Sequence, residues 1–175
     1  MTVSSATSLT TAKLYGLISG KVAGTTALLP QHWMLAAGYF VGPSANLASA
    51  DLAGADLHGG DLTSATLVDA NIAGADLSSA VLQDADASRA SLSGANLTDT
   101  SLYGTNLSGA ILTGATLTGA QMNFTTLLEG ASSGKIIGQP AALVPGWMLV
   151  GGYLIGQGAD LAGADLAGAD LEPLS

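Results

Sequence analysis

The side chains best suited to acid–base or metal chemistry are two histidines and a large set of carboxylates. The histidines are His32 and His58, cysteine is absent, and thirteen Asp and Glu residues stand against four Lys and Arg. Neither histidine has a carboxylate or a second histidine at the spacing of a nucleophilic or metal-binding motif. We therefore predict no catalytic residues, no metal and no cofactor, and we predict that the protein is not an enzyme.

The regular recurrence of aspartate raises the question of calcium. Asp56 and Asp76 lie twenty residues apart, and Asn96 and Thr116 occupy the next two steps of the same interval. If these residues stack on one face, each layer supplies a single side chain, whereas Ca²⁺ requires six or more converging oxygens. We interpret the series as a solvated polar ladder. His58 is predicted to lie on an exposed corner without a chemical role.

The elements that position these residues follow from a period of five. In residues 45–62, ANLASADLAGADLHGGDL, leucine stands at every fifth position, and the period runs to Leu127 through seventeen repeats. Two positions before each leucine stands Ala, Gly or Thr, and two positions after it fourteen of the seventeen residues are Gly, Ser or Asp. Residues two apart on a strand share a face, and Gly, Ser and Asp favour tight corners. Each repeat is therefore predicted as a short strand with two inward side chains, followed by a corner.

Strands and corners chained in this way wind the backbone into a solenoid whose turns rest on one another at about 4.8 Å. The repeats resemble the Ala-(Asp/Asn)-Leu-x-x motif of the pentapeptide-repeat family. That resemblance implies an all-β fold, a right-handed quadrilateral β-helix with four repeats per coil.

A coil of twenty residues has two consequences for side-chain placement. Leu52, Ile72, Leu92 and Leu112 are predicted to form one inward column. Asp69 and Arg89 are predicted to share one corner in successive coils and to form an exposed ion pair.

Two copies of a second motif flank the repeats. SGKVAGTTALLPQHWMLAAGYFVGPSANL begins at Ser19 and aligns with SGKIIGQPAALVPGWMLVGGYLIGQGADL, which begins at Ser133. The alignment matches two aromatic pairs: Trp33 with Trp147 and Tyr39 with Tyr153. In each copy a Gly-containing pair separates two apolar stretches, which predicts a β-hairpin. The hairpins either cover apolar ends of the solenoid or dock another subunit, with these four aromatic residues in or beneath the contact.

The chain therefore divides into five segments. They are two degenerate repeats in 1–16, a first module in 17–44, the main β-helix in 45–129, a second module in 130–158 and C-terminal repeats in 159–175. The second module is either an excursion from one corner, after which the chain rejoins its stack, or the repeats at both ends are unfinished coils that await a neighbour.

Three further apolar residues fall outside the inward pattern: Val81, Tyr103 and Phe124. All three belong to the fourth side of their coils, counted from Asn46. An exposed apolar column of this kind is typical of a contact site. The alternatives are scattered surface hydrophobes and cover by a hairpin.

Charge and hydropathy restrict the partners. The net charge of −9 leaves too few cations to bind a phosphate backbone, so nucleic acid is not an expected ligand. The most apolar stretch, 141–156, is too short for a bilayer and contains Pro-Gly and Gly-Gly, and the first twenty residues lack a secretory pattern. We expect no membrane contact, and a soluble protein in the cytoplasm or in a particle assembled there.

The sequence predicts a structural or scaffolding protein that acts through protein–protein contacts, as a homo-oligomer or within a larger assembly. The resemblance implies one alternative, an acidic DNA mimic that binds DNA gyrase. The charge distribution is less favourable to mimicry, because eight aspartates fall within residues 51–99 and none within 100–128. A DNA mimic is expected to spread its charge along the whole rod.

Overall fold

Successive coils of this protein are joined by isolated β-bridges, and regular strands occur only in two hairpins within the described residues. A computed structural model describes residues 8–20, 22–23 and 28–171. The bridges are parallel, and most of them join residues twenty positions apart, as between Asn46 and Thr66. Four columns of such bridges run along the chain, so each coil has four sides. The predicted all-β, right-handed quadrilateral β-helix is confirmed.

The four sides are named here by the residue with which each enters the main run of repeats. The first, second, third and fourth sides contain Asn46, Asp51, Asp56 and Asp61 respectively. These residues point outwards, and the small residue before and the leucine after each of them point into the coil.

The interior is filled by columns of inward leucines. Leu52, Ile72, Leu92 and Leu112 are each 0% exposed. The amide of each donates to the carbonyl of an outward residue one coil further on, as from Leu92 to Ile111 at 2.8 Å. The predicted column and its twenty-residue interval are therefore confirmed.

Threonine replaces the small inward residue at some positions without leaving a polar atom unpaired. The hydroxyl of Thr100 donates to the carbonyl of Leu77 at 2.7 Å, and that of Thr105 donates to Leu82 at 2.8 Å. Within the described residues, no buried side-chain nitrogen or oxygen lacks a hydrogen-bond partner. The threonines thus add bonds between coils at no cost in buried polarity.

From residue 45 to residue 120, each corner is closed by one hydrogen bond between residues three apart and contains one left-handed residue. At the first corner of the main run the amide of Ala50 donates to the carbonyl of Leu47 at 3.0 Å, and Ser49 has φ of 56°. Ser, Asp and Gly tolerate this conformation better than bulky residues do. Arg89, with φ of 57°, is an exception to that composition.

Both modules form β-hairpins, as predicted. In the first, β1 (Met34–Ala36) pairs antiparallel with β2 (Tyr39–Val41). In the second, β3 (Met148–Val150) pairs antiparallel with β4 (Tyr153–Ile155).

The hairpin turns explain the Gly-containing pairs. Ala37 and Gly38 have φ of 47° and 81°, and Gly151 and Gly152 have φ of 58° and 82°. Positive φ at both central residues defines the type I′ turn, whose twist matches that of paired strands.

Each module replaces one side of a coil with its hairpin. Parallel bridges join Ile18 to Asn46 and Ser132 to Asp160, an interval of 28 positions in both cases instead of twenty. The chain therefore rejoins its own stack after each hairpin, as one alternative for the second module predicts, but the hairpin takes the place of a side and does not project from a corner. The first hairpin stands in for the fourth side of its coil, and the second stands in for the first side.

The period of five predicts Leu127 as the inward leucine of the seventeenth repeat, and this prediction is wrong by one position. Leu127 is 51% exposed and pairs with Asn106 on the outer surface, while Leu128 points inwards. One extra residue enters the preceding corner, where the side-chain oxygen of Asn123 accepts hydrogen bonds from the amide and hydroxyl of Thr125 at 3.1 and 2.7 Å. The sequence offers leucine at both 127 and 128, so periodicity alone selected the wrong one.

In the part of the chain described, no helix is long and apolar enough to cross a membrane.

A charge in the leucine column should unfold the β-helix. Replacing Leu92 by Asp buries a carboxylate with no partner and should cost several kcal/mol in the free energy of unfolding, measured by urea denaturation. Ser91→Asp, one residue away on the outer surface, is the matched control and should stay near wild-type stability. Equal stability of the two variants would contradict the inward assignment of Leu92.

Candidate protein-interaction surface

The histidines do not assemble a chemical site. Nδ1 of His58 lies 2.9 Å from the Ser78 hydroxyl at an exposed corner. Nδ1 of His32 lies 3.8 Å from a carboxylate oxygen of Asp61, and the His32 side chain is 56% exposed. Among the described residues, no three His, Asp or Glu side chains are grouped so that they could hold a metal ion.

The aspartates of the third side form the predicted polar ladder. The side-chain amide of Asn96 donates to Asp76 at 3.0 Å. Asp76 also accepts hydrogen bonds from the hydroxyl and the backbone amide of Ser78, at 2.6 and 2.9 Å. These two bonds, the hydroxyl first, lower the pKa of Asp76 below its ordinary value. The carboxylates are therefore engaged along the surface of the coils.

Asp69 and Arg89 form the predicted ion pair across neighbouring coils. The Nε and Nη2 atoms of Arg89 each lie 2.8 Å from one oxygen of Asp69, so the pair is bidentate. Hydrogen bonding from the guanidinium lowers the pKa of Asp69 and raises that of Arg89. Both side chains are exposed, so the pair is screened by solvent.

Charge is segregated along the axis of the solenoid. The acidic ladders occupy the coils that begin at residue 45, whereas residues 100–128 contain no charged side chain. A second negatively charged molecule is repelled less by the neutral coils than by the acidic ones.

In the first module, Trp33 and Tyr39 both contact neighbouring parts of the chain. The ring of Trp33 lies flat against Gly42, where a Cβ would come within 2.8 Å of the ring atom Cε2. The ring of Tyr15 meets Trp33 edge-on, with centroids 6.0 Å apart and planes at 76°. The hydroxyl of Tyr39 accepts the amide hydrogen of Asp51 at 3.2 Å. The hairpin is thereby fixed between two coils.

The second module repeats these contacts with one exception. The ring of Trp147 lies against Gly156, and the Tyr153 hydroxyl accepts the amide hydrogen of Asp165 at 3.3 Å. No aromatic residue packs edge-on against Trp147 in the described part of the chain, because Glu129 stands where the first module has Tyr15.

The two hairpins differ in how far they are covered. In β2, Phe40 and Val41 are fully buried, because the main run of coils stacks on the hairpin. In β4 Leu154 is buried as Phe40 is, but Ile155 is only half-buried. In β3 Val150 is half-buried where Ala36 of β1 is buried, whereas the first two residues of β1 and β3 are half-buried in both copies. The second hairpin thus retains apolar surface that its first copy hides.

The predicted column of apolar residues on the fourth side is interrupted. Val81 is half-buried and is followed in its column by Ser101 and Gln121. Tyr103 lies at the next corner and donates its hydroxyl hydrogen to Gln121. Phe124 lies at the same corner one coil further on and is 81% exposed. Of the three, Phe124 alone offers a large free apolar surface, and its part in binding stays a prediction.

A groove that the periodicity did not reveal begins at Thr126, two residues after Phe124. It has a volume of about 480 Å³ and runs between the first side of the last complete coil and the second hairpin. Its walls include Leu127, Glu129, Pro145 and Trp147. The signal in the sequence was the replacement of Tyr15 by Glu129 between otherwise similar copies, which leaves the tryptophan without its aromatic neighbour.

Comparison with known proteins supports the repeat assignment. Residues 45–84, 80–119 and 90–127 match the family model for pentapeptide repeats, in eight copies. Among proteins of curated function, none matches the chain significantly.

Solved structures of similar proteins share about two thirds of their length with this chain. A pentapeptide repeat protein from Nostoc Pcc 7120 is 40% identical over 47% of this chain and 69% of its own, with a TM-score of 0.47. Rfr23, a pentapeptide repeat protein from the cyanobacterium Cyanothece 51142, is 32% identical over 58% and 65%, with a TM-score of 0.43. A pentapeptide repeat protein from the thylakoid lumen of Arabidopsis thaliana is 28% identical over 67% and 68%, with a TM-score of 0.32.

Contact between tryptophan and glycine should make Gly42 intolerant of a methyl group. Gly42→Ala pushes a Cβ into the buried Trp33 ring and should destabilise the fold by about 1–3 kcal/mol, as overpacking does. Gly156→Ala is the matched control, and it should cost less because the half-exposed Trp147 can move outwards. Urea denaturation of both variants measures the difference. A larger cost at Gly156 would contradict the difference in enclosure.

The ion pair gives a pH-dependent prediction. The pKa of Asp69 is lower in the folded state, so its contribution to stability is present above the unfolded pKa of about 4 and disappears as pH falls through the folded value. Asp69→Asn removes that contribution, and Asn tolerates the left-handed backbone at this corner. Thermal melts should show a small loss of stability at pH 7 that vanishes in acid and in high salt. A loss that persists in acid would exclude the ion pair as its cause.

Proposed function

The chain belongs to the pentapeptide-repeat family, and on that premise we propose that it is a non-catalytic scaffold that self-assembles or takes part in a larger protein assembly. Members of this family are generally structural or interaction proteins without catalytic activity. Protein surfaces, and not a reactive centre, are thus the features of this molecule that carry the proposal.

The observation that supports this proposal most strongly is the difference in burial between the two hairpins. They have the same register and the same type I′ turn, and both hold a tryptophan against a glycine. Stacked coils bury Ala36 and Val41 of the first, while the equivalent Val150 and Ile155 of the second are only half-buried. Apolar surface of this kind is typical of protein contacts.

The distribution of charge supports contact through the coils that precede the second hairpin. The net charge of −9 opposes close approach of two copies, yet between residues 100 and 134 the single charged side chain is Glu129. An assembly that buries this neutral region places little like charge in contact. The acidic ladders then remain in solvent.

A gyrase-binding DNA mimic is the second candidate. It is favoured by the outward aspartates of neighbouring coils, such as Asp56 and Asp76, which stack in register along one side. It is opposed by the neutral coils, because a duplex carries its phosphates without such an interval. A supercoiling assay with gyrase distinguishes the mimic from a scaffold.

The 175-residue chain should sediment as species heavier than its 17.1 kDa monomer at micromolar concentrations. It should also leave DNA supercoiling by gyrase unchanged. Sedimentation velocity and negative-stain microscopy test the first statement, and a supercoiling assay tests the second. Inhibition of gyrase, by a dimer or by a monomer, would replace the scaffold with the mimic, and a monomer without effect on gyrase would overturn both.

A further inference from the structure

The two modules differ in one contact that can be compared directly. Each module coil begins with a similar tripeptide, Leu14-Tyr15-Gly16 in the first copy and Leu128-Glu129-Gly130 in the second, with the central residue eighteen positions before the tryptophan. In the first copy the ring of Tyr15 packs edge-on against Trp33. In the second copy a carboxylate takes that position, and the groove beside Trp147 stays open.

The first copy therefore shows what such a groove accepts. An aromatic ring edge-on to tryptophan is a favoured arrangement, and a phenylalanine or tyrosine brings a large apolar surface to the contact. In the second copy the walls combine apolar and polar side chains. Leu127, Val144, Pro145 and Trp147 supply the apolar part, and Ser108, Thr126, Glu129 and Gln157 supply the polar part. Compared with the first module, the groove beside Trp147 therefore lacks an aromatic side chain.

Phe124 has the properties of that side chain. It lies in the corner that contains the extra residue of the seventeenth repeat, three positions before Leu127, and it is 81% exposed. Its ring fills no part of the leucine interior. This corner leads directly onto the side that forms one wall of the groove.

We infer that a second copy of this chain inserts its Phe124 into the groove beside Trp147, and that the contact is reciprocal about a two-fold axis. A projecting ring and an open groove on one face are self-complementary, as an isologous dimer requires. Residues 100–128, which supply the projecting ring, carry no charge, and the groove that receives it adds one charged residue, Glu129. This inference rests on the proposed function and specifies the surface by which self-assembly begins.

Two substitutions test the two halves of the contact in the full-length protein, by sedimentation equilibrium. Phe124→Ser removes the ring and should weaken dimerisation about tenfold or more. Glu129→Tyr should weaken it as strongly, because each chain then fills its own groove as the first module does. The tripeptide Leu-Tyr-Gly already occurs at residues 102–104 as well as 14–16, so the corner accepts tyrosine.

Matched controls isolate the two effects. Glu129→Gln removes the charge but leaves the groove open, and Ile137→Ser removes an exposed apolar side chain from the third side. Both should dimerise like the wild type. Circular dichroism should show that all four variants keep the β-helix.

The outcomes separate this contact from self-assembly in general. Wild-type association that survives both Phe124→Ser and Glu129→Tyr would overturn the groove and leave the scaffold standing. Loss with Phe124→Ser alone would overturn insertion of the ring beside Trp147. A wild type that stays monomeric at all concentrations would overturn both the contact and self-assembly.

Discussion

The interior of each coil is narrow, and the filling of that interior by one small residue and one leucine per side is the constraint on which the rest of the fold depends. Side chains from four directions share this space, so Ala, Gly or Thr must accompany each leucine. The corners repeat because each side has the same length. The outward residues are left free to vary, so polar ladders, ion pairs and contact surfaces can be placed on them without changing the interior.

The modules fit into the same coil geometry. Each keeps three sides of a coil and substitutes a hairpin for the remaining side, so the stack resumes in register at Asn46 and at Asp160. Tryptophan against glycine and tyrosine against a backbone amide fix the hairpin across the coil. The hairpins are therefore variants of the coil rather than separate domains, and their apolar surfaces are hidden or open according to what stacks on them.

Much of this could be predicted from the sequence because a fixed period fixes many contacts together. The column that contains Leu92 and the pair of Asp69 with Arg89 both follow from a coil of twenty residues. The inward position of Leu128 did not follow, since two adjacent leucines give periodicity no means of choosing between them. The groove was also missed, because it depends on how a hairpin lies over a corner, which no spacing encodes.

The number of repeats between the modules sets the relative direction of the two hairpins. The run from Asn46 to Ser132 makes four complete coils and one further side, so the second hairpin stands in for a side adjacent to that of the first. One repeat more or fewer would turn one hairpin relative to the other by about a quarter turn, whereas a whole coil would change only their separation, by about 4.8 Å. The number of repeats thus sets the relative orientation of the two hairpins. Gain or loss of one five-residue unit rotates one end of the molecule relative to the other, while the packing of the interior stays the same.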